Sequence, residues 1–446
     1  MKATQYVIRD KDLHPIGVAK FHLREEPDGT GLLIINANRI IHLNKTATDH
    51  IRLVLEGIGT EEAINQLTRK YKAKREEIAK HHEHILVALD VMSKTDKIDP
   101  MILGIGRETS PITEYSAPMR MDLALTYRCN NLCKHCYASS ARETKELTTN
   151  QWKTILQKVF DAQIPQVSFT GGEATLRPDL EELIRTAQDT GLVSGLITNG
   201  RRLANMEYTK QLYKAGLDFV QITLESDRPD VHELITCTPN SFKQTVQGIK
   251  NCIEVGIYTS TNTTLCPYNI DHAMDLVRFL NGLGLKNLAM NALIYSGRGK
   301  AVEKEFSVPT ELLAKTLDDV KHLANYLGMN FIWYSPTRYC EINPVKMGLG
   351  LKFCSACRTN MAIEPDGTVL PCQSWFKSVG NILTDPWEKI WNNDLCKYIR
   401  KRGWMDAAKG PNGESCATCM WGHLCGAACP LEPDKKRILH TECTIS

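Results

Sequence analysis

Between residues 120 and 330, short apolar runs alternate six times with longer amphipathic segments. The short runs are typical of buried strands, and the longer segments repeat their apolar positions with the period of a helix. This β-then-α order predicts an α/β fold with a parallel sheet, open or curled into a partial barrel, whose chemistry lies at the C-terminal strand ends. The predicted strands are Met121–Leu125, Gln166–Phe169, Val193–Ile197, Phe219–Leu224, Tyr258–Leu265 and Leu288–Leu293, and the predicted helices fall near 149–163, 178–189, 203–215, 242–254, 271–283 and 309–326.

The pattern changes on either side of this alternating region, which is expected to span residues 119–335. Residues 1–93 predict a small α+β unit, and the polar residues 94–118 predict a linker. Residues 336–446 are rich in Cys, Gly and Pro, which predicts an irregular domain that folds around metal. The N-terminal strands are predicted at Tyr6–Ile8, Val18–His22, Leu32–Ile35 and Ile40–Leu43, and the helices at Thr46–Glu56, Glu61–Lys72 and Arg75–Val91.

The bulk composition indicates an ordinary globular protein. The chain has 446 residues, 42% hydrophobic and 24% charged, which is enough for about three domains. A net charge of +3 is too small to favour a nucleic-acid or membrane partner. No apolar run reaches the roughly 18–20 residues of a membrane span, and the polar N-terminus lacks a signal core. We therefore expect a cytoplasmic protein.

Sixteen cysteines are the exceptional feature of the composition. None occurs in the first 128 residues, three lie at 129–136 and ten lie between 340 and 443. In a reducing compartment, thiols at such tight spacings are better explained as metal ligands than as disulfides.

The first cysteine group follows the first strand of the alternating region. Cys129, Cys133 and Cys136 form a C-x3-C-x2-C motif, so that one loop can surround one cube of iron and sulfide. Three ligands leave one of four irons open, whereas clusters held by cysteine normally have four thiolates. A zinc loop is the alternative, but it requires a fourth ligand, and His135 is squeezed between two others.

This motif, followed by the aromatic Tyr137, resembles the signature of the radical S-adenosylmethionine (radical SAM) superfamily. The resemblance implies a partial (β/α)6 barrel in which Cys129, Cys133 and Cys136 hold the catalytic [4Fe–4S] cluster. It implies that the open iron binds the amino and carboxylate groups of S-adenosylmethionine. Reductive cleavage then yields methionine and a 5′-deoxyadenosyl radical, which abstracts hydrogen from the substrate.

Further positions match the places where this family contacts S-adenosylmethionine. Ala174 stands where the family usually has Pro, and Thr236 stands where many relatives have an Arg for the carboxylate. Two glycines would let backbone approach the methionine moiety, and Glu173 would accept from its ammonium. The cofactor-binding residues implied are Tyr137, Gly171, Gly172, Glu173, Asn199, Thr223, Glu225, Asn262 and Arg298.

The C-terminal cysteines form two ordered patterns, Cys357-x9-Gly367-x4-Cys372 and Cys416-x2-Cys419-x5-Cys425-x3-Cys429. Together they resemble the SPASM domain of radical SAM enzymes, which implies two auxiliary clusters and three [4Fe–4S] clusters in all. Cys340 could replace Cys354, and two four-cysteine zinc sites are the alternative. The ligands implied are Cys354, Cys357, Cys372 and Cys429 for the nearer cluster, and Cys416, Cys419, Cys425 and Cys443 for the farther one. The cysteines outside these patterns, which are expected to be buried hydrophobes, are Cys237, Cys252, Cys266 and Cys396.

The N-terminal unit resembles the peptide chaperone of pyrroloquinoline-quinone biosynthesis over residues 5–91. The features concerned are Leu32–Asn36, Ile41–Asn44, the helix after them and Gly57–Thr60. Relatives of this winged-helix-like fold take the leader of a precursor peptide as an added strand. A winged-helix unit used for packing or nucleic acid is the alternative, since the basic run 69–75 is typical of a solvated surface.

These features predict a radical SAM/SPASM oxidoreductase that cross-links or oxidises a ribosomally made precursor peptide. The expected partners are that peptide and a low-potential electron donor such as ferredoxin or flavodoxin, with no nucleic acid and no membrane. One alternative is an enzyme that modifies a small molecule such as a tetrapyrrole side chain. Another is a non-catalytic cluster carrier or zinc-stabilised binding module.

Overall fold

The computed structural model describes residues 4–8, 19–35, 39–94, 115–138, 145–406, 408–409, 413 and 415–432. Most of the expected linker and Cys443 lie outside these ranges. The N-terminal part is a four-stranded antiparallel sheet in the order β1-β2-β3-β4, followed by three helices. Its elements are β1 (Thr4–Ile8), β2 (Ala19–Glu25), β3 (Gly31–Ile35), β4 (Arg39–Leu43), α1 (Lys45–Leu55), α2 (Thr60–Tyr71) and α3 (Arg75–Lys94).

The N-terminal sheet and its helices share a hydrophobic core of their own. Phe21, Leu33, Ile51 and Leu89 are buried in one cluster between the sheet, α1 and α3. Helix α1 begins where the Asn44 side chain accepts a hydrogen bond from the N–H of Ala47 at 2.8 Å. The N-terminal unit therefore has a hydrophobic core that is separate from that of the barrel.

The six strands predicted for the alternating region lie side by side as parallel neighbours in chain order, which confirms that prediction. A seventh strand, β11, continues the sheet beyond them. The strands are β5 (Arg120–Thr126), β6 (Gln166–Gly171), β7 (Val193–Thr198), β8 (Phe219–Thr223), β9 (Tyr258–Thr264), β10 (Asn287–Asn291) and β11 (Asn330–Trp333). The helices are α4 (Thr149–Asp161), α5 (Leu180–Thr190), α6 (Met206–Lys214), α7 (Pro229–Thr236), α8 (Ser241–Val255), α9 (Ala273–Gly282), α10 (Gly297–Ala301), α11 (Glu303–Phe306) and α12 (Thr310–Tyr326).

Helix α4 shows why these segments cover the sheet. Thr148 and Gln151 form a capping box that satisfies the first N–H groups of the helix. The buried side chains of α4 recur at the spacing of one helix face, so that face packs on the sheet. They are Trp152, Ile155, Leu156 and Val159.

The C-terminal region extends the same sheet. Strand β12 pairs in parallel with β5, and β13 and β14 follow antiparallel, so that the sheet has ten strands. The structure thus adds regular elements to a region whose sequence shows little periodicity. They are β12 (Asn360–Ile363), β13 (Thr368–Leu370), β14 (Gly380–Asn381), α13 (Trp387–Trp391), α14 (Asp394–Arg400) and α15 (Gly422–Cys425).

The N-terminal unit docks at the N-terminal end of β5. The guanidinium of Arg24 donates to the carbonyls of Ala117 at 3.1 Å and Pro118 at 3.0 Å, and it pairs with Glu26 at 2.8 Å. Both partners of this ion pair are buried. The contact therefore lies at the end of β5 opposite to Cys129.

Within the described ranges, no helix has the length and apolar character that a membrane span requires.

Candidate active site

The loop after β5, called the cysteine loop below, brings Cys129, Cys133 and Cys136 to one cavity. Two backbone hydrogen bonds tie this loop to the end of α7, from the N–H of Leu132 at 3.1 Å and of Lys134 at 3.0 Å. The cavity is also lined by the C-terminal ends of β6 to β10. Because five adjacent strands surround one space, the sheet curves around it as expected for a partial barrel.

The thiols of this loop lie in a poorly solvated environment. Burial raises the pKa of Cys129 to about 11, and burial followed by the charge of Glu225 raises the pKa of Cys133 well above its usual value. Such thiols ionise only against a strong positive charge, which iron provides. Three sulfur donors beside a cavity therefore fit an iron–sulfur cluster with one open iron. In the described part of the chain, no three His, Cys, Asp or Glu side chains are grouped to hold a single ion.

The two predicted glycines lie where β6 meets the cysteine loop. A Cβ at Gly171 would collide with the carbonyl oxygen of Thr126, and one at Gly172 would lie 2.6 Å from that of Tyr127. Gly171 also has a φ of +135°, which favours glycine. Both glycines line the cavity, and their small size lets the end of β6 pack directly on the loop.

Glu173 is buried, but it is not among the residues that line the cavity. One carboxylate oxygen accepts from the hydroxyls of Thr175 and Thr198, both at 2.7 Å, and the other accepts from the N–H of Asn199 at 2.8 Å. In the structure this carboxylate holds the ends of β6 and β7 together. Its contact with the methionine ammonium stays a prediction.

Glu225, at the end of β8, faces the cysteine loop. One of its oxygens lies 3.1 Å from Nε2 of His135, and the other accepts from the N–H of Thr264 at 3.0 Å. The imidazole of His135 also packs on Phe306, with ring centroids 5.6 Å apart. The histidine between two cysteines is thus held by Glu225, which orients the loop.

Of the other residues predicted to contact S-adenosylmethionine, all but Arg298 line the cavity. Arg298 is not among the cavity-lining residues, but its N–H donates to the carbonyl of Cys136 at 2.9 Å and its charge acts to lower the pKa of Cys133. The remaining predicted residues line the cavity, namely Tyr137, Asn199, Thr223, Glu225 and Asn262.

Several polar residues that line the cavity were not predicted. Asn291 accepts from Asn262 at 2.8 Å and donates to the hydroxyl of Thr264 at 3.2 Å. Its position at the end of β10 could have identified it, because polar side chains at those strand ends meet in one place. Gln373 comes from the C-terminal region, and no local pattern indicates it.

The cysteines predicted to hold the nearer auxiliary cluster, called the nearer auxiliary group below, come together only in the folded chain. Burial raises the pKa of Cys354, of Cys372 to about 11 and of Cys429 to about 12. The charges of Cys429 and Cys372 raise the pKa of Cys354 further, and the charge of Cys372 raises that of Cys429. The structure therefore brings these three thiols together. Cys357 lies beside them, with its Sγ 3.1 Å from that of Cys396.

The farther auxiliary group lies on short turns around α15. The charge of Cys419 acts on Cys425, and the Sγ of Cys425 accepts from the N–H of Tyr339 at 3.3 Å. Cys340 and Cys416 both lie close enough to Arg338 to influence its pKa. Cys340 is thus on the side of the farther group, while Cys354 is with the nearer group.

Comparison with known proteins agrees with this geometry. A family model described as the radical SAM superfamily matches residues 123–280, and one described as the SPASM iron–sulfur cluster-binding domain matches 354–420. The chain is 25% identical to the Fe-coproporphyrin III synthase of Methanosarcina barkeri over 368 residues, which cover 74% of this chain and 85% of that protein. It is 26% identical to the PqqA peptide cyclase of Bradyrhizobium diazoefficiens over 338 residues, which cover 72% and 84%.

Among solved structures, Streptococcus suis SuiB bound to the precursor peptide SuiA superposes with a TM-score of 0.67 at 16% identity. The match covers 96% of each chain. At this identity the likeness establishes the fold, and the matched domains establish the iron–sulfur and S-adenosylmethionine chemistry. The chain is therefore an enzyme of the radical SAM superfamily that carries a C-terminal SPASM domain.

Proposed function

We propose that this enzyme oxidatively modifies a ribosomally made precursor peptide. The observation that carries the proposal is the match to peptide-bound SuiB, which extends over 96% of this chain and so includes most of the N-terminal unit. The similarity to PqqA peptide cyclase points to the same substrate class. The proposed domains are residues 1–93 for leader recognition, 119–335 for the radical SAM barrel and 336–446 for the SPASM domain, with residues 94–118 as a linker.

In this proposal Cys129, Cys133 and Cys136 hold a [4Fe–4S] cluster whose fourth iron binds S-adenosylmethionine. When bound, the cluster and S-adenosylmethionine together would supply the 5′-deoxyadenosyl radical that abstracts hydrogen from the substrate. His135 and Glu225 orient the loop, and buried surroundings exclude water from it. Polar side chains at adjacent strand ends hold the nucleotide and methionine parts; they are Asn199, Thr223, Glu225, Asn262 and, from the loop, Tyr137.

The C-terminal region would hold two further [4Fe–4S] clusters, which makes three per chain. Eight thiolates suit electron transfer between a substrate radical and the surface. A ferredoxin or flavodoxin would be the low-potential donor. The proposed ligands are Cys354, Cys357, Cys372 and Cys429 for the nearer cluster, and Cys416, Cys419, Cys425 and Cys443 for the farther one.

The N-terminal unit would bind the leader of the peptide as an added strand. Strand β4 lies at the edge of its sheet in the described part of the chain, and the side chain of Ile40 on it is 44% exposed. Main-chain hydrogen bonds to such an edge supply affinity, and exposed side chains supply selection.

The test is co-expression with the peptide encoded by a short reading frame beside the gene, followed by mass spectrometry. We expect a defined mass change on the peptide that is lost when residues 1–93 are deleted. A peptide that stays unmodified while the loaded enzyme cleaves S-adenosylmethionine would contradict the proposal.

A small tetrapyrrole is the second candidate substrate, because the chain is also similar to an Fe-coproporphyrin III synthase. Deletion of residues 1–93 separates the two candidates. Turnover of a tetrapyrrole should survive the deletion, since such a substrate has no leader to be recognised.

A further inference from the structure

A second cavity lies beside the cavity lined by the cysteine loop and the ends of β6 to β10, which is called the S-adenosylmethionine cavity below. It is formed at the C-terminal ends of β10 and β11 and by the residues that follow them. Ile294 lines both cavities, so they share a wall. On its other side the second cavity reaches Cys429 of the nearer auxiliary group. A molecule held here would lie between the catalytic loop and that group.

The second cavity contains buried polar atoms that have no hydrogen-bond partner among the described residues. They are Nε1 of Trp333, Nε of Arg338 and the hydroxyl oxygens of Ser307 and Thr337. The side chain of Trp333 is 0% exposed, and Thr337 is 8% exposed. Leaving such atoms unpaired is costly, so a ligand that pairs them gains affinity.

The chemistry of these atoms selects the ligand. An indole N–H and a guanidinium Nε–H can only donate, and a hydroxyl can donate as well as accept. The cavity therefore requires hydrogen-bond acceptors. The remaining wall is largely apolar and includes Leu265, Leu293 and Leu313.

Charge in the second cavity disfavours an anionic ligand. Arg338 already contacts Glu341, with Nη1 and Oε1 3.5 Å apart, and Glu432 also lies in the wall. A carboxylate placed beside Arg338 would face these two carboxylates. Neutral acceptors, such as amide carbonyls, avoid this repulsion.

We propose that the second cavity binds the main chain of the substrate segment that is modified, with carbonyl oxygens paired to Trp333, Thr337 and Ser307. This inference rests on the proposed peptide substrate and names the residues that hold it. Held there, the segment presents a residue across Ile294 to the S-adenosylmethionine cavity.

The test uses Trp333→Phe and Thr337→Val, which remove a donor and keep most of the shape. Trp152→Phe is the matched control, because Trp152 is equally buried and its Nε1 is likewise without a partner among the described residues, but it lies on α4 away from the cavity. Each iron-loaded full-length enzyme is assayed with the precursor peptide. The readouts are KM and the amount of 5′-deoxyadenosine formed per modified peptide.

Loss of one neutral hydrogen bond should raise KM about 3- to 10-fold in each cavity variant. It should also raise the 5′-deoxyadenosine formed per modified peptide, because the segment is held less firmly. Trp152→Phe should leave both quantities unchanged. Cavity variants that match Trp152→Phe would overturn the inference while the peptide substrate stands. If the wild-type enzyme modifies no peptide, the proposed function fails, and this inference falls with it.

A second measurement distinguishes main-chain binding from carboxylate binding. Peptides whose acidic residues in the modified segment are changed to the corresponding amides should keep their KM. A KM raised more than about 10-fold in the wild-type enzyme would mean that a carboxylate occupies the cavity, which would overturn the assignment.

Discussion

The cysteine loop, which is the proposed catalytic loop, and the C-terminal region bring their cysteines together in opposite ways. Cys129, Cys133 and Cys136 lie within eight residues after one strand, so local chain geometry brings them together. Cys372 and Cys429 are far apart in sequence and meet only because the C-terminal region folds against the sheet. The first site therefore depends on one loop, whereas the auxiliary site depends on long-range docking.

The two halves of the C-terminal region also differ from each other. Ile363, Val369 and Ile390 are fully buried and belong to the same hydrophobic cluster as the barrel. Residues 415–432 consist of turns and one short helix, and Met420 there is 69% exposed. We expect a segment with so little buried apolar surface to need a bound metal for stability, whereas the first half is stabilised by the barrel core.

The largest expected effect is the loss of S-adenosylmethionine cleavage when a cysteine of the cysteine loop is replaced. Replacing Cys129, Cys133 or Cys136 by Ala should reduce S-adenosylmethionine cleavage to background, because two thiolates cannot hold the open cluster. The measurement is 5′-deoxyadenosine formed anaerobically under strong reductant. Cys237 is exposed, so the expectation that it is a buried hydrophobe was wrong, and Cys237→Ala should behave as wild type. Full cleavage by the triple Ala variant would show that the loop does not hold the cluster.

A smaller effect should distinguish the two auxiliary groups. Cys372→Ala and Cys425→Ala should each lose about four of about twelve irons per chain, measured by metal and sulfide analysis. In hydrogen exchange, Cys425→Ala should expose residues 415–432, whereas Cys372→Ala should leave β12 and β13 protected by the barrel core. Cys252→Ala, a change of a buried cysteine on α8, should keep all of its iron. Equal loss of protection in both auxiliary variants would refute the comparison.

The smallest expected effect is on the stability of the N-terminal unit. This unit has no cysteine, so its stability should depend on pH rather than on iron. Nδ1 of His50 lies 3.2 Å from Nδ1 of His82 between α1 and α3. Burial, then the charges of His82 and His81, lower the pKa of His50 to about 4, against a smaller opposite effect of Asp49. Burial also lowers the pKa of His82.

Because their folded pKa values lie below the unfolded value of about 6.5, both histidines bind protons mainly after unfolding. The stability that His50 contributes is present above pH 6.5 and is lost as the pH falls toward 4, by up to about 1.4 kcal/mol per pH unit, and His82 acts in the same direction. The measurement is the urea midpoint at which α1 and α3 become exposed. His50→Leu should flatten this dependence, and His84→Gln, a change on the exposed face, should not. A midpoint that does not change from pH 7 to 5 would contradict the expectation.

Much of the barrel could be predicted because short strand-like runs and longer amphipathic helices alternate along the chain. Strands such as β6 and β9 coincide with apolar or β-branched runs between amphipathic helices, and their parallel order follows from the β-then-α alternation. Strand β12 could not be predicted, because four residues carry no clear period. It pairs with β5, with Asn360 opposite Arg120, 240 residues earlier in the chain.

The candidate site could be predicted in part, for a similar reason. The cysteine motif and the glycines after β6 are local signals. The hydrogen bonds of Glu173 to the end of β7 and the contribution of Gln373 to the cavity are not local signals, because they depend on how neighbouring strands and the C-terminal region pack.

The sequence by itself determined which three cysteines share one loop and in which order the strands and helices follow, because short spacings and hydrophobic periods act within one segment. Only the tertiary structure decided which strand-end side chains face the cavity, how Cys354, Cys372 and Cys429 meet, and that Trp333 lines a second cavity. These outcomes depend on strand register and on docking between distant segments. The free energy that stabilises such docking is spread over many contacts between residues far apart in sequence, so no local pattern predicts it.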